Sequence, residues 1–247
     1  MPDCVLVTDS GVPAVRVLAA LQARGIKAVS VHTAADAGAR HATLADESVL
    51  LGETTSAYGD PQALVEAARQ VGASAVHPGA ADVPGLEQAV TEAGMDWLGG
   101  PLQVPVTLSV VAPVSEARAG TELTTLPVLP PRAVEVVTGL DLVRAALEGE
   151  VSGIARDGVA LSVEVTASAL APVQAWQVPD GEGDDRDVWV DSAVEAGTDP
   201  VDPLLAVLTV WGPDRDSAYA RAAAAWDRLV IEGPVVRRPA ALEGKTA

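Results

Sequence analysis

The chain lacks phenylalanine altogether and contains a single cysteine, Cys4, among its 247 residues. One thiol cannot close an internal disulfide or supply a multi-cysteine metal site. No run of about 18 uncharged apolar residues occurs, which argues against a transmembrane helix. The N-terminus MPDCVLVTDS has no basic segment, so it is not typical of a secretory signal. We therefore expect a cytoplasmic protein with no membrane partner.

Basic residues are also scarce: 16 Lys and Arg stand against 34 Asp and Glu, which gives a formal net charge of −18. Such a field repels nucleic acid and anionic membranes, and it also opposes the accumulation of ATP or bicarbonate. We therefore expect no nucleic-acid partner. Hydrophobic residues make up 49% of the chain, enough to build a core and to argue against global disorder.

The first hundred residues alternate between strand-like and helix-like segments. CVLVT at residues 4–8 and KAVSVH at residues 27–32 predict strands, and PAVRVLAALQAR at residues 13–24 predicts the helix between them. A strand, a helix and a strand with short joins predict a parallel βαβ unit. The alternation continues with helices and strands at residues 61–71, 74–77, 86–93 and 96–98. We predict a doubly wound, parallel-sheet α/β domain over residues 1–101.

The rest of the chain changes character after residue 101. VPVTLSVVAPV and TELTTLPVLPP are strand-like and poor in charge, and a helix is predicted over residues 138–147 with Asp141 in its first turn. Beyond residue 150, strands and turns alternate before a helix. These are strands at 159–166, 173–178 and 188–190, an acidic turn at 181–185, an apolar stretch at 203–211 and a helix at 214–229. The pattern predicts an α+β domain over residues 151–247.

Several segments, in order, resemble the biotin carboxylase family, the ATP-using subunit of acyl-CoA carboxylases of fatty acid metabolism. VLVTDSGVPAVRVLAALQARGIKAVSVHTAAD is similar to that family's first strand, helix and second strand, and RHATLADESVLLG to the loop that follows. GASAVHPG and EAGMDWLGGP continue the match. VTGLDLV, LLAVLTVWGPDRDSAYARA and LVIEG resemble later parts of the family in the same order.

The resemblance implies that a whole domain is shortened. It identifies residues 1–101 as similar to the domain that precedes the ATP-grasp domain, and residues 151–247 as similar to the family's C-terminal domain. Residues 102–150 stand in place of the ATP-grasp domain, although a domain normally needs about 100 residues. The family's glycine-rich phosphate loop and phosphate-binding lysines belong to that missing part. Without a nest of N–H groups and a cation, the chain is expected to bind no nucleotide cofactor.

The departures from the family pattern fall where chemistry is expected. Glu122, Thr124 and Leu126 match a metal-binding glutamate, an asparagine and an arginine, and only Glu122 keeps its type. One carboxylate is a poor Mg²⁺ site, so no metal is expected. Glu164 stands where the family has an arginine that stabilises the biotin enolate, and a carboxylate there would destabilise a developing anion. His77 lies in the position of the family's HPG loop. At most, His77 and Glu122 are remnants of catalytic machinery, and a structural role is favoured for the histidine.

Two further residues resemble the family's homodimer interface region. These are Arg16, on the first predicted helix, and Asp202, before LLAVLTVWG. An exposed pair of this kind contributes only about 0–1 kcal/mol, but within an interface it can specify a partner. Val207 replaces a lysine of the family, so this surface is altered as well.

Three functional hypotheses follow from the retained scaffold and the lost chemistry. The leading one is a non-catalytic pseudoenzyme that associates with itself or with acyl-CoA carboxylase subunits and affects their assembly or activity. The second is a component of an active ligase of the acetyl-CoA carboxylase type, completed by a separate ATP-grasp chain, with Glu122, His77 and the VTG helix contributing; Glu164 argues against it. The third is a small-molecule sensor with its site between the two domains, at the carboxyl ends of the parallel strands.

Overall fold

A computed structural model describes residues 1–126, 131–149, 153–179, 181 and 187–244. These residues fall into two compact units, and the segment between residues 101 and 150 is divided between them. The first unit contains residues 1–101 and 142–149, and the second contains 102–126, 131–141 and the described residues from 153 onward. The three-part division of the chain at residues 101 and 150 stays a prediction.

The first unit is built on a five-stranded parallel sheet. Its strands are β1 (Cys4–Val7), β2 (Lys27–Thr33), β3 (Glu47–Gly52), β4 (Ala75–His77) and β5 (Asp96–Trp97), and its first helices are α1 (Gly11–Gln22), α2 (Arg40–Leu44), α3 (Pro61–Gln70) and α4 (Leu86–Glu92). The strands lie in the order β3-β2-β1-β4-β5. This is the order of a doubly wound sheet, so the predicted fold class is confirmed.

Both faces of this sheet are buried. Cys4 and Leu6 of β1 contribute to one hydrophobic cluster, and Val5 and Val7 contribute to the other. Successive side chains of a strand point to opposite faces, so an unbroken apolar run such as CVLV belongs in the centre of a parallel sheet. The run therefore predicts its position in the fold as well as its conformation.

The edge strand β3 corrects one expectation. The family resemblance predicts a loop over residues 40–52, but Glu47–Gly52 pairs in parallel with β2. Only Val49 of this strand is fully buried, because β3 lies at the edge of the sheet. A half-exposed edge strand lacks both the apolar run of a central strand and a strict alternation, which explains why its pattern is weak.

The middle of the chain holds a hairpin and two short helices. The hairpin consists of β6 (Leu102–Val111) and β7 (Val114–Leu126), and the helices are α5 (Arg132–Thr138) and α6 (Leu142–Glu148). The helix predicted over residues 138–147 corresponds to α6, but its predicted start is wrong, because Thr138 ends α5 and α6 begins only at Leu142. Gly139 has φ +68, and a Cβ there would lie 2.3 Å from the Ile154 carbonyl oxygen. This is a glycine C-cap, which ends α5 instead of opening a helix.

The second unit has an antiparallel sheet in the order β10-β11-β8-β7-β6, to which a short strand, β13, adds on β8. Beyond the hairpin, its elements are β8 (Val159–Ala169), β9 (Ala175–Gln177), β10 (Val188–Ser192), β11 (Leu204–Gly212), α7 (Arg215–Asp227), β12 (Val230–Glu232) and β13 (Val235–Val236). α7 packs against β8 and β11 through a core of Val, Leu and Ala side chains. The predicted α+β class is confirmed. The acidic turn lies largely outside the described residues.

Candidate functional site

The strand order of the first unit reverses at β1, with β2 and β3 on one side and β4 and β5 on the other. Sheets of this kind bind ligands outside the carboxyl ends of the strands at such a reversal. Here the loops after β1 and β4 meet, and the Thr8 amide donates a hydrogen bond to the His77 carbonyl oxygen at 3.0 Å. We call Asp9, His77, Gly79 and Ala80 the switch-point cluster.

Asp9 joins the two loops of the switch-point cluster through its carboxylate. Its Oδ2 accepts a hydrogen bond from the Ala80 amide at 2.8 Å, and its Oδ1 accepts one from the Ser10 amide at 2.7 Å. Gly79 has φ +68, and a Cβ there would lie 2.3 Å from the Asp9 Cβ, so this approach requires glycine. Asp9 occupies backbone donors that an anion would need, and its charge opposes a phosphate at the same place.

His77 belongs to the same cluster and is fully buried. Its Nδ1 accepts a hydrogen bond from the Gly79 amide at 3.0 Å, which places the ring proton on Nε2. Burial, with a smaller contribution from the Arg16 charge, lowers the pKa of His77 to about 4. The ring is therefore neutral at physiological pH. Its contacts and burial are those of a residue that fixes a loop, because a general base must reach its substrate.

A second cluster, missed by sequence reasoning, lies near the start of α1. Tyr58 Oη donates to Asp36 Oδ2 at 2.7 Å, and His41 Nε2 lies 3.0 Å from the same hydroxyl. Asp36 Oδ1 accepts from both the amide and the hydroxyl of Thr33, at 2.6 and 2.7 Å. The Gly11 amide donates to His41 Nδ1 at 3.4 Å. We call Asp36, His41 and Tyr58 the buried triad, because Asp36 and His41 are buried, whereas Tyr58 is half-buried. No motif links these three positions in the sequence.

The electrostatics of the buried triad favour a structural role. Burial acts to raise the pKa of Asp36, but hydrogen bonds from Thr33 and Tyr58 outweigh it and hold that pKa below its ordinary value. Burial lowers the pKa of His41, and burial together with Asp36 raises the pKa of Tyr58. The carboxylate is thus ionised while the imidazole is neutral and the phenol protonated. A phenol with a raised pKa is a poor acid and a poor nucleophile, so the triad joins loops and does not activate a substrate.

Three residues of β7 occupy the positions that the resemblance matches to the family's metal-binding region: Glu122, Thr124 and Leu126. The Thr124 hydroxyl donates to the Val106 carbonyl oxygen at 2.6 Å, and Leu126 is buried. Glu122 is exposed. Within the described part of the chain, no group of three or more His, Cys, Asp or Glu side chains is arranged to hold a metal ion.

Glu164 lies on β8 with its side chain exposed and its amide bonded to the Pro113 carbonyl oxygen at 2.9 Å. Its direct partner across the sheet is Val207 of β11. Directly opposite residues of antiparallel strands share a face. The two positions where the family resemblance implies an arginine and a lysine are therefore neighbours, and here they carry a carboxylate and an alkyl side chain.

The two residues expected at an interface have different environments. Arg16 is only 9% exposed on the buried side of α1. Asp202 is exposed, and its Oδ1 accepts a hydrogen bond from the Leu204 amide at 2.7 Å, which stabilises the turn before β11. Arg16 thus offers a partner little side-chain surface, whereas Asp202 is accessible. Their role at an interface remains a prediction.

The second unit contains a charged network that the sequence did not indicate. Asp187 is paired with Arg156 at 2.8 Å and with Arg221 at 2.6 Å, and the Arg156 guanidinium lies 3.3 Å from the Trp211 ring centroid. Burial acts to raise the pKa of Asp187, but the two arginines hold it below its ordinary value. The Arg221 guanidinium also donates to the Trp211 carbonyl oxygen. These contacts join the start of β10 and the end of β11 to the middle of α7.

Comparison with known proteins shows sequence similarity over the first part of the chain. Residues 1–104 match the family model "Biotin carboxylase, N-terminal domain". The biotin-dependent acyl-coenzyme A carboxylase alpha3 subunit of Mycobacterium leprae is 42% identical over 100 residues, which covers 38% of this chain and 17% of that protein. The biotin carboxylase of Pseudomonas aeruginosa is 36% identical over 109 residues, or 42% of this chain and 24% of that protein. The matched region therefore spans less than a quarter of these relatives' length.

Solved structures extend the likeness to both units. A biotin carboxylase from Campylobacter jejuni, solved as a β-γ-ATP complex, has a TM-score of 0.78 at 14% identity and covers 96% of this chain and 93% of its own. The biotin carboxylase domain dimer of the Hydrogenobacter thermophilus 2-oxoglutarate carboxylase has a TM-score of 0.76 at 16% identity, with coverages of 96% and 92%. These likenesses establish a biotin carboxylase-like fold. No helix in the described residues has the length and apolar character needed to cross a bilayer.

Proposed function

We propose that this chain, which begins with a biotin carboxylase N-terminal domain, is a non-catalytic partner of acyl-CoA carboxylase subunits and affects their assembly or activity. The observation that carries this proposal is the pairing of Glu164 with Val207. Carboxylation of biotin develops negative charge on the reacting group, and catalysis of such a step depends on fixed positive charge or hydrogen-bond donors. A carboxylate beside an alkyl chain supplies neither.

The middle of the chain supports the same proposal. The part of the family that handles ATP is expected between residues 101 and 150, where this chain has only the β6–β7 hairpin, α5 and α6. Phosphoryl transfer depends almost entirely on positioning and on electrostatic stabilisation of the phosphates. Arg118 is the only Lys or Arg residue of the hairpin, and its side chain forms an ion pair with Glu116 at 3.1 Å. It is committed to an ion pair within the unit.

The switch-point cluster gives a third, independent support. In this chain the Asp9 carboxylate accepts a hydrogen bond from the Ala80 N–H and occupies the position that a phosphate or carboxylate ligand would approach. An anionic substrate would have to displace a carboxylate that is already hydrogen-bonded twice. The geometry supports a scaffold function over anion binding at this position.

The test uses the purified chain together with an acyl-CoA carboxylase alpha subunit from the same organism. We expect the chain alone to show no ATP hydrolysis that depends on biotin and bicarbonate. We expect it to co-elute with the alpha subunit in size-exclusion chromatography with light scattering, and to change that subunit's carboxylation rate. Biotin-dependent ATP hydrolysis by the chain alone would overturn the non-catalytic part. Separate elution with an unchanged rate would overturn the partner role.

A further inference from the structure

Three side chains of β2 and β3 are hydrogen-bonded in sequence at the edge of the parallel sheet. Ser30 Oγ donates to Ser48 Oγ at 2.8 Å, and Ser48 Oγ lies 2.6 Å from His32 Nδ1. Ser30 and Ser48 are directly opposite each other across the two strands, and His32 lies two residues after Ser30. All three side chains therefore share one face of the sheet. We call Ser30, His32 and Ser48 the serine–histidine cluster.

The direction of these hydrogen bonds directs the Ser48 proton to His32. The Ser48 oxygen accepts from Ser30, so its own O–H donates to the imidazole Nδ1. Other serine hydroxyls of the chain donate to main-chain carbonyl oxygens: those of Ser74, Ser168 and Ser192. An imidazole can take a proton that a carbonyl oxygen cannot, and a serine in hydrogen-bond contact with such a base is an activated nucleophile.

The face that carries this cluster is open to solvent at the edge strand. Ser48 and His32 are half-buried, so neither is sealed in the core. Leu50, two residues after Ser48 and directly opposite His32, is 56% exposed on the same face. Among the described residues β3 pairs with β2 alone, so its outer edge offers N–H groups without a strand partner. Such groups can donate to an oxyanion that develops beside Ser48.

We propose that Ser48 is a covalent modification site, at which an activated acyl ester transfers its acyl group to the serine hydroxyl with His32 as the general base. His32 Nδ1 accepts the Ser48 proton as Oγ forms a bond to the acyl carbonyl carbon. The bond between that carbon and the leaving alkoxide then breaks, and the leaving group takes the proton from His32. An ester on Ser48 and a free alcohol are the products.

One acyl group is transferred per chain, so the modification is compatible with a chain that does not carboxylate biotin. It also does not depend on the proposed role in a carboxylase, because it concerns the purified chain alone.

The surroundings of Ser48 favour an uncharged donor with an apolar acyl group. The formal net charge of −18 opposes the approach of an anionic donor, whereas the exposed Leu50 offers an apolar contact. Competing nucleophiles are few. Cys4 is buried, and Lys27, one of only two lysines in the chain, is paired with Glu47 at 2.6 Å.

The test treats the purified chain with p-nitrophenyl acetate, an uncharged activated ester, and maps the acetylated residues by peptide mass spectrometry. We expect an acetyl group on Ser48, with a burst of p-nitrophenolate equal to the amount of protein and no turnover after it. His32→Asn keeps a hydrogen-bond acceptor but supplies no base, and should slow acetylation of Ser48 by about 100-fold. Ser48→Ala should abolish the burst. The matched control is Ser56→Ala, which removes an exposed serine hydroxyl bonded to Thr54 and should leave the burst unchanged.

The proposal is wrong if Ser48 of the unaltered chain carries no acetyl group, or if Ser56 is acetylated as fast as Ser48. It is also wrong if His32→Asn, with an unchanged circular dichroism spectrum and melting temperature, is acetylated at the rate of the unaltered chain, since Ser48 would then react without a base. Continued release of p-nitrophenolate that requires Ser48 would overturn the transfer of a single acyl group and show hydrolysis instead. Because the acetylated residue is mapped on the unaltered chain, the test does not rely on the variants folding.

Discussion

Glu164 and Val207 face each other across neighbouring antiparallel strands, one on β8 and one on β11. Both positions differ from the cationic residues that the family resemblance implies, and the pairing register shows that the two changes affect one patch of surface. A single substitution could be an isolated event. Two differences at directly opposite positions that both remove positive charge alter the same local field, and they support the loss of anion stabilisation at that place.

Restoring positive charge at positions 164 and 207 tests whether these two differences alone prevent biotin-dependent activity. Under the non-catalytic proposal, Glu164→Arg, alone or with Val207→Lys, gives no biotin-dependent ATP hydrolysis by itself, and with an added carboxylase alpha subunit the rate is the same as with the unaltered chain. The reason is that charge at one patch does not replace phosphate-binding groups. The control is Glu232→Arg, which makes the same charge change at an exposed position on β12. A rise in activity specific to position 164 would favour the alternative that the chain completes an active site with a separate chain.

Gly79→Ala tests the closure of the switch-point cluster. The new Cβ would lie 2.3 Å from the Asp9 Cβ, at a residue with φ +68. We expect a loss of more than about 2 kcal/mol in the free energy of unfolding, because strain and steric overlap add. Gly72→Ala is the matched control, with φ +67 and no atom within 4 Å of its Cβ, and should cost about 1 kcal/mol. Equal losses in urea denaturation would contradict the described contact between Gly79 and Asp9.

His77 should make the stability of the first unit depend on pH. Its pKa falls from an ordinary value of 6.5 in the unfolded chain to about 4 in the folded one. Below 6.5 the unfolded chain therefore binds the proton first, so stability is full above pH 6.5 and falls as the pH drops toward 4. The linkage amounts to about 3 kcal/mol over that window. His77→Asn keeps an acceptor for the Gly79 amide but does not titrate, and should flatten this slope in denaturation at a series of pH values. An unchanged slope would contradict the prediction.

Tyr58→Phe tests the buried triad. Removing the hydroxyl leaves Asp36 Oδ2 without its 2.7 Å donor and removes the contact to His41, so we expect a loss of about 1–3 kcal/mol in the free energy of unfolding. The chain has only two tyrosines, and Tyr219→Phe is the matched control. The Tyr219 hydroxyl contacts Arg215 at 3.4 Å, a longer contact to an exposed side chain, and its loss should cost less. A larger effect at Tyr219 would show that the triad contributes little.

Local patterns were sufficient to predict much of the first unit. The apolar run CVLV predicted β1, and the helix predicted over residues 61–71 is α3, at whose start Asp60 Oδ1 accepts hydrogen bonds from the Gln62 and Ala63 amides. These features depend on residues a few positions apart. They could be recognised because capping and burial act over one turn or one strand.

Features that depend on distant partners could not be predicted in this way. The end of α5 at Gly139 is fixed by the Ile154 backbone, fifteen residues further along the chain. The buried triad joins Asp36, His41 and Tyr58 from three separate elements, and each residue taken alone has an ordinary context. Sequence spacing carries no information about such contacts until the fold brings them together.

The placement of α6 has a consequence for how the chain must fold. This helix follows the hairpin and α5 in sequence, yet Val143 packs in the same cluster as Val5, Val17 and Leu98. A fragment that stopped at residue 104, where the family match ends, would leave that cluster uncovered on one side. The first unit is therefore complete only after the ribosome has synthesised the whole of the intervening hairpin and α5. Its nascent apolar surface has to be shielded, or stay unfolded, until α6 emerges.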